Sequence, residues 1–333
     1  MKKSSIIGVL ILCFAFWGKA QVRNEIHVPD PEGYRTLKCD FHIHTVFSDG
    51  LVWPTVRVDE AYREGLDAIA LTEHLEYRPH RQDIIASHNR SYEIAEKTAR
   101  NNQVILIRGS EITRPMAPGH FCDALEQKEY MDSFKAARRQ NAFIFWNHPG
   151  WDRQQPDTTL WWNEHTRLYE EGYMQGIEVA NGKKYSPEAQ RWCMEKKLTM
   201  IGTSDIHQPI QTDIDFARGQ HRTMTFVFVR ERSAEGIREA LLHRRTAVYM
   251  DEKVIAEEQW LKELFEKSID IEDIKRNEKS IVITLKNNSD LTFHLKKTRH
   301  NPGLVYFREY TIQPQCRHRI EIRLENNIQG GDI

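Results

Sequence analysis

A short apolar strand that ends in two histidines decides how the rest of the chain is interpreted. It reads LKCDFHIH, at residues 37–44. Successive side chains of a strand point to opposite faces, so His42 and His44 share one face and can reach one ion. Six more apolar runs follow at residues 68–71, 104–107, 143–146, 177–179, 199–201 and 224–229, with amphipathic helical stretches between them. This alternation is typical of βα units around a parallel sheet, and the number of strands favours a barrel.

Histidine and acidic residues follow these predicted strands, at the end where barrel active sites lie. A lone histidine at a strand end is usually a hydrogen-bonded structural residue. Many imidazole and carboxylate groups buried together need partners, however, and bound metal ions provide them. Nitrogen and oxygen ligands without thiolate favour Zn, Mn or Fe. The predicted ligands are His42, His44, Asp49, His74, Glu111, His120, His148, Asp205 and His207.

The motifs occur in a characteristic order. They are His-x-His at 42–44 with a following Asp49, Glu-His at 73–74, Gly-x-Glu at 109–111 with a later His120, a separate His148, and Asp-x-His at 205–207. This series, over about residues 38–250, resembles the PHP (polymerase and histidinol phosphatase) superfamily of metal-dependent phosphoesterases. The resemblance implies an α/β fold, a distorted (β/α)7 barrel with up to three metal ions at its C-terminal rim. The export signal and the appended domain described below are similar to a secreted bacterial phosphodiesterase branch of that superfamily.

Carried over by position, the resemblance implies three ligand sets. The first ligand set is His42, His44, Glu111 and Asp205; the second is Glu111, His120 and His148, with Glu111 bridging; the third is Asp49, His74 and His207. Asp49 stands where some members of the superfamily have His. Glu111 and Asp205 are the expected catalytic residues, and Asp205 is also a candidate proton acceptor.

The expected reaction is hydrolysis of phosphate esters, with phosphodiesters preferred, by a hydroxide that bridges two metals of a three-metal site. A phosphomonoesterase of the histidinol-phosphatase type, or an amide or lactone hydrolase on the same constellation, is the alternative activity. A metal-stabilised binding module is the non-enzymatic alternative. Arg114 and Arg222 are the candidate substrate-binding residues, because guanidinium groups bind phosphate oxygens well. Trp146, Trp151, Trp161 and Trp162 are candidates for a wall beside an aromatic leaving group.

The composition excludes a strongly basic nucleic-acid binder as the first interpretation. The chain has 47 Lys and Arg residues against 48 Asp and Glu residues, a formal net charge of −1. We therefore expect a small-molecule phosphate ester as partner and no nucleic-acid polymer. The sequence leaves the oligomeric state and the natural substrate open.

The chain divides into three predicted parts. Residues 1–20 resemble a secretory signal peptide, with a lysine-containing start, an apolar run and a small-residue cleavage site. We expect export to the periplasm or outside the cell, and no transmembrane segment after signal removal. Residues 21–267 form the barrel domain, which ends in a charged helical stretch from Val254 to Lys267. Residues 268–333 form a small antiparallel β domain with a frayed tail and a structural or docking role. The cysteines beyond the signal peptide are expected to be buried free thiols.

Overall fold

The computed structural model describes residues 23–123, 130–156, 158–299 and 301–325. The proposed signal peptide and the tail lie outside these residues. The strands are β1 (Arg35–Asp40), β2 (Ala68–Leu71), β3 (Ile105–Arg108), β4 (Ser110–Ile112), β5 (Phe121–Asp123), β6 (Phe145–Trp146), β7 (Gly176–Asn181), β8 (Lys184–Tyr185), β9 (Thr199–Thr203), β10 (Met224–Val229), β11 (Thr246–Met250), β12 (Lys253–Ala256), β13 (Ile269–Arg276), β14 (Ser280–Asn287), β15 (Phe293–Lys296), β16 (Leu304–Val305), β17 (Glu309–Ile312) and β18 (Arg317–Leu324). The helices are α1 (Pro54–Arg63), α2 (Arg90–Asn102), α3 (Tyr130–Arg139), α4 (Asn163–Glu170), α5 (Pro187–Lys196), α6 (Ala234–Leu242) and α7 (Glu258–Ser268).

The N-terminal part of the fold is built on two sheets. One has the strand order β12-β11-β10-β1-β2-β3, and the other has the order β4-β5-β6-β7-β8 with β9 beside β7. Strands β1, β2 and β3 are parallel, as are β6, β7 and β9. Strand β10 is antiparallel to β1, so the predicted parallel arrangement holds for only part of each sheet. Two short 3₁₀ turns connect β9 to β10 in place of a crossover helix, and the chain therefore re-enters from the same end.

The two sheets meet where their strands end. Ile43, just after β1, forms a parallel bridge with Ile206, just after β9. The Thr225 hydroxyl on β10 accepts a hydrogen bond from the Gly202 amide at 2.9 Å and donates one to the Gly202 carbonyl at 2.8 Å. These contacts bring the carboxyl ends of strands from both sheets to one edge of the domain.

The sequence pattern predicts helices at residues 56–64, 84–100, 130–140, 187–196 and 234–244. Each overlaps a helix of the structure, although α2 begins six residues later than predicted. Helix α5 has its predicted bounds, and the Ser186 hydroxyl accepts a hydrogen bond from the Ala189 amide at its start. The predicted helical stretch from Val254 is corrected, because residues Lys253–Ala256 pair with β11 as β12. The adjacent β-branched residues Val254 and Ile255 suit a strand there. Helix α4 was not predicted.

The C-terminal domain is antiparallel, as expected, and one of its loops packs into the core of the N-terminal domain. Its larger sheet has the order β13-β14-β18-β16, and β15 pairs with β17. Leu291, between β14 and β15, is 2% exposed and belongs to the same apolar cluster as Trp260 and Leu264 of α7. The Asp290 carboxylate accepts a hydrogen bond from the His27 amide at 2.7 Å.

Two further expectations concern thiols and membrane spans. Cys39 and Cys193 are buried free thiols, as expected, whereas the free thiol of Cys316 is exposed. Within the described residues, no helix has the length and apolar character that a membrane crossing requires.

The position of Leu291 leads to a stability prediction. We expect Leu291→Ala to lower the free energy of unfolding by about 2–5 kcal/mol, because it leaves a cavity in the core of the N-terminal domain. Val305→Ala in the same domain removes a side chain that is 47% exposed and is the control. Its effect should stay within about 0.5 kcal/mol. Urea unfolding followed by fluorescence measures both, and equal effects of the two substitutions would contradict a shared core.

Candidate metal centre

The structure brings the predicted metal ligands together at the edge where the strands end. Their ligand atoms form four overlapping groups, with the atoms of each group within 4.8 Å of one another. The groups are His42, His44 and Asp205; His42, Glu111 and His148; His74, Glu111 and His120; and His44, Asp49, His74 and His207.

Glu111 lies between the first and second ligand sets. Its Oε2 atom is 3.0 Å from His42 Nε2 and 3.2 Å from His44 Nε2. Its Oε1 atom is 2.9 Å from His120 Nδ1 and 3.3 Å from His148 Nε2. Each oxygen of this buried carboxylate therefore faces a different pair of imidazoles, which is the arrangement that a bridging ligand requires.

Asp205 and Asp49 face the remaining imidazoles. Asp205 Oδ1 is 3.3 Å from His42 Nε2 and 3.2 Å from His44 Nε2. Asp49 Oδ1 is 3.2 Å from His207 Nε2 and 3.5 Å from His74 Nε2, so the third ligand set also converges. Asp205 has a φ of +52°, a left-handed conformation that is strained for a non-glycine residue and occurs most often at functional sites.

Opposite charges within the cluster outweigh burial. Burial by itself raises the pKa of Glu111, but the charges of His74 and His42 hold that pKa well below its usual value. The pKa of Asp49 is likewise held low against burial, by His207 and His74. Burial alone lowers the pKa of His207, yet its contacts with Asp49 and Asp205 raise that pKa to about 9. The cluster therefore favours ionised carboxylates that require cationic partners.

Three buried ligand atoms lack hydrogen-bond partners among the described residues, and this indicates that the site suits metal ions. His44 Nε2, Asp49 Oδ1 and Asp205 Oδ1 have no hydrogen-bond partner. The imidazoles near both carboxylate oxygens are close but not aligned for hydrogen bonds. Unsatisfied buried polar atoms are costly, and divalent cations satisfy converging lone pairs of this kind. The residues therefore fit divalent ions bound by nitrogen and oxygen, which include Zn, Mn and Fe.

Glu178 is a site residue that the sequence analysis missed. Its Oε1 atom is 2.8 Å from His42 Nδ1 and accepts a 2.7 Å hydrogen bond from the Thr203 hydroxyl. Its Oε2 atom accepts hydrogen bonds from the His148 amide at 2.6 Å and the Asn181 side chain at 2.9 Å. Glu178 thus orients ligands of both the first and second sets. The signal that could have revealed it is a charged residue inside the apolar run of β7.

Glu73 supports the loop that carries Asp49. Its carboxylate accepts hydrogen bonds from the hydroxyls of Thr45 at 2.6 Å and Ser48 at 2.7 Å. The acid of the Glu-His motif therefore holds the chain between His44 and Asp49, while His74 lies in the ligand cluster.

Neither of the two arginines predicted to bind substrate lines the cavity beside the ligand cluster. Arg222 is fully buried, and its guanidinium binds Glu64 at 2.5 Å and Asp40 at 3.0 Å. Because the side chain is buried in these ion pairs and does not line the cavity beside the ligands, the structure corrects its role to a structural one. Arg114 is 2.9 Å from Glu76 and does not line the cavity beside the ligands.

A cavity of about 630 Å³ opens beside the ligand cluster. Trp151 lines it, with its ring 5.4 Å from that of His120 and 5.3 Å from that of His148. Trp146 is instead fully buried in the core, and neither Trp161 nor Trp162 lines the cavity. Its other polar wall residues include Tyr77, Thr113, Asn181, Lys184 and Ser186, which the sequence did not predict.

Comparisons with known proteins show the family to which the chain belongs. The chain is similar to a two-domain protein from Bacteroides vulgatus that contains a predicted PHP-like metal-dependent phosphoesterase, with 61% identity, a TM-score of 0.92, and 94% of this chain and 93% of that chain covered. The chain belongs to the family of PHP-like metal-dependent phosphoesterases, and it is a hydrolase. Residues 268–333 match the family model of an Ig-like domain. No curated protein matches the chain.

Two more distant structures also match. One is a putative metal-dependent phosphoesterase from Bifidobacterium adolescentis, with 14% identity, a TM-score of 0.41, and 51% of this chain and 87% of that chain covered. The other is an amidohydrolase from Chromobacterium violaceum, with 15% identity, a TM-score of 0.42, and 55% of this chain and 90% of that chain covered.

The Glu178 contacts predict an effect on metal affinity. Glu178→Gln keeps the size of the side chain but removes the charge that holds His42 and the His148 backbone. We expect metal affinity to fall about 10–100-fold, as when other groups that orient ligands are removed. Competition with a chromophoric chelator measures the change. Glu188→Gln, on the nearby helix α5, is the control, and an unchanged affinity in Glu178→Gln would contradict the orienting role.

His165 predicts a pH dependence of stability. It is fully buried. Its Nε2 atom donates a hydrogen bond to the carbonyl of Pro118, near His120, at 2.7 Å, and its Nδ1 atom accepts one from the Trp162 amide at 3.0 Å. Burial lowers its pKa from 6.5 to about 4. Below pH 6.5 the unfolded chain therefore binds a proton that the folded chain does not, so stability falls as the pH drops towards 4.

This contribution should amount to about 3 kcal/mol over that interval. His165→Gln keeps a donor and an acceptor but does not titrate there. We expect chemical denaturation at a series of pH values to show a shallower acid loss of stability in this variant than in the unsubstituted protein. Identical pH profiles would show that His165 is not the group responsible.

Proposed function

We propose that the protein hydrolyses phosphate esters, with phosphodiesters preferred, at a centre of up to three divalent ions of Zn, Mn or Fe. The observation that supports this most directly is the position of Glu111, one oxygen of which faces His42 and His44 while the other faces His120 and His148. One carboxylate shared by two imidazole pairs is the donor set that two adjacent ions need.

We also propose that the two sheets form a distorted (β/α)7 barrel, which their meeting at the Thr225 hydroxyl supports.

The residues divide the work. His42, His44, Glu111 and Asp205 would hold the first ion, Glu111, His120 and His148 the second, and Asp49, His74 and His207 the third. When bound, paired divalent ions lower the pKa of water towards neutrality and stabilise charge that develops on phosphoryl oxygens. Asp205 is the carboxylate assigned to accept a proton. Its Oδ2 atom is held by the Asn181 side chain at 3.3 Å, which leaves Oδ1 directed at the imidazoles.

The cavity supports a small-molecule substrate. Its volume of about 630 Å³ lies in the range of small-molecule sites. Trp151 offers an apolar face to the leaving group, and Arg153, whose guanidinium lies 5.7 Å from the Trp151 ring centre, supplies positive charge at the same wall. We propose Arg153 in place of Arg114 and Arg222 as the basic group that faces a bound phosphate ester. Lys184 also lines the cavity and is a second candidate, although its ammonium forms an ion pair with Asp152.

We retain export as part of the proposal. Its support is the sequence pattern of residues 1–20, and it suits an enzyme that acts on phosphate esters outside the cytoplasm.

The test combines metal reconstitution with substrate choice. Metal-free protein is loaded with Zn, Mn or Fe(II) and assayed with bis(p-nitrophenyl) phosphate, p-nitrophenyl phosphate and a p-nitroanilide. We expect metal-dependent release of nitrophenol, fastest from the diester. A faster monoester reaction would reassign the enzyme as a phosphomonoesterase. Hydrolysis of the anilide alone would replace the proposal by an amide hydrolase.

Ligand variants test the site itself. His42→Ala and Asp205→Asn should each lower the rate by more than about a hundredfold, since removal of a direct ligand exceeds the cost of removing a group that orients one. His243→Ala, an exposed histidine far from the cluster, should retain full activity. Circular dichroism verifies that each variant is folded. A folded His42→Ala protein with full activity would exclude this centre.

A further inference from the structure

A fully buried arginine lies behind the candidate metal centre, on helix α1. Arg57 donates three hydrogen bonds to backbone carbonyls: Nε to His44 at 2.9 Å, Nη1 to Gln208 at 2.8 Å and Nη2 to Ile206 at 3.1 Å. His44 belongs to the first ligand set, and residues 206 and 208 flank His207 of the third. One guanidinium therefore joins the two chain segments that carry these ligands.

Glu60 completes this contact one helical turn later. Its Oε2 atom accepts a hydrogen bond from Arg57 Nη1 at 2.8 Å, and its Oε1 atom accepts one from the Ile210 amide at 2.9 Å. Glu60 is 1% exposed, so both members of this ion pair are buried. We call Arg57 and Glu60 the α1 bracket. It holds the segment from Ile206 to Ile210 by hydrogen bonds to three of its backbone groups.

That segment needs such support. It begins three residues after the end of β9 and contains no helix or strand before the short 3₁₀ turn at Ile210. Outside the bracket, the His44 amide binds the Ile206 carbonyl at 3.2 Å, and the Leu51 amide binds the His207 carbonyl at 2.8 Å. The His207 side chain is 32% exposed, so little packing fixes it from the solvent side.

The alternative is that Arg57 has a purely structural role, and Arg245 is an example of a buried arginine with such a role. Arg245 is also buried, binds Glu239 on a helix, and donates to the Phe228 carbonyl at 2.9 Å. None of its partners adjoins a metal ligand. Every backbone partner of Arg57, in contrast, is a metal ligand or lies next to one. Buried ion pairs add little net stability, whereas removing one partner is costly.

We propose that Arg57, supported by Glu60, is a positioning residue that sets the place of His207 in the third ligand set. This inference rests on the proposed metal centre. The guanidinium fork serves three carbonyls at once, and the point-like ammonium of lysine does not reproduce that pattern. The second ligand set makes no contact with the bracket and should be unaffected.

The experiment measures metal binding by the full-length folded protein. Metal-free protein is dialysed against a series of Zn²⁺ concentrations, and bound zinc per chain is determined by mass spectrometry. His207→Ala marks the binding step of the third site, and His120→Ala marks that of the second. We expect Arg57→Lys to weaken the third-site step at least about tenfold and to leave the second-site step unchanged. Glu60→Gln should weaken the same step by less, and it serves as the second variant if Arg57→Lys does not fold.

Arg245→Lys is the matched control. It removes a buried guanidinium fork of the same kind, so it should lower the unfolding temperature without changing the zinc-binding curve. An Arg57→Lys curve identical to that of the unsubstituted protein, or weakening only at the step lost in His120→Ala, would overturn the positioning role. If the unsubstituted protein binds no zinc, the proposed metal centre fails together with this inference. If the unsubstituted protein binds zinc and Arg57→Lys does not change that binding, the positioning role of the α1 bracket is refuted and the proposed metal centre is not.

Discussion

The buried carboxylate of Glu111 is the group around which the site is arranged. A carboxylate removed from water is stable only when positive charge or several donors surround it. Here imidazoles from separate strand ends provide those contacts, His42 after β1, His120 before β5 and His148 after β6. Because these residues lie on both sheets, the same convergence that satisfies Glu111 also fixes how the strand ends meet. The donor set that fits metal ions is therefore inseparable from the edge at which the two sheets join.

A second layer of buried charges surrounds the first. Glu178 holds His42, Glu73 holds the loop before Asp49, and Asp40 accepts a 3.1 Å hydrogen bond from the Ser204 amide, next to Asp205. Asp40 in turn binds Arg222. Such networks are poor sources of net stability compared with apolar packing, but they allow few alternative arrangements. Their concentration behind the ligands indicates that the fold restricts the ligand geometry at some cost in stability.

The sequence predicted which histidines and carboxylates converge better than it predicted the groups around them, for a physical reason. The ligands follow apolar runs, and carboxyl ends of strands converge in this type of fold, so position along the chain implied position in space. Arg222 carried no such signal. Its burial depends on Asp40 of β1 and Glu64 after α1, acids more than a hundred residues away, and nothing local to Arg222 distinguishes it from a solvated arginine. The antiparallel course of β10 was equally hidden, because it depends on the absence of a crossover helix from the preceding loop.

The Ig-like domain is more closely tied to the catalytic part of the chain than its composition suggested. Helix α7 packs Trp260 and Leu264 into the apolar cluster that also contains Phe226 and Phe228 of β10. Leu291, from beyond the domain boundary, completes that cluster. Strand β10 pairs with β1, which leads directly into His42 and His44. A continuous packed path therefore joins the C-terminal domain to the strand that supplies the first ligands, and this favours a structural role over an independent docking module.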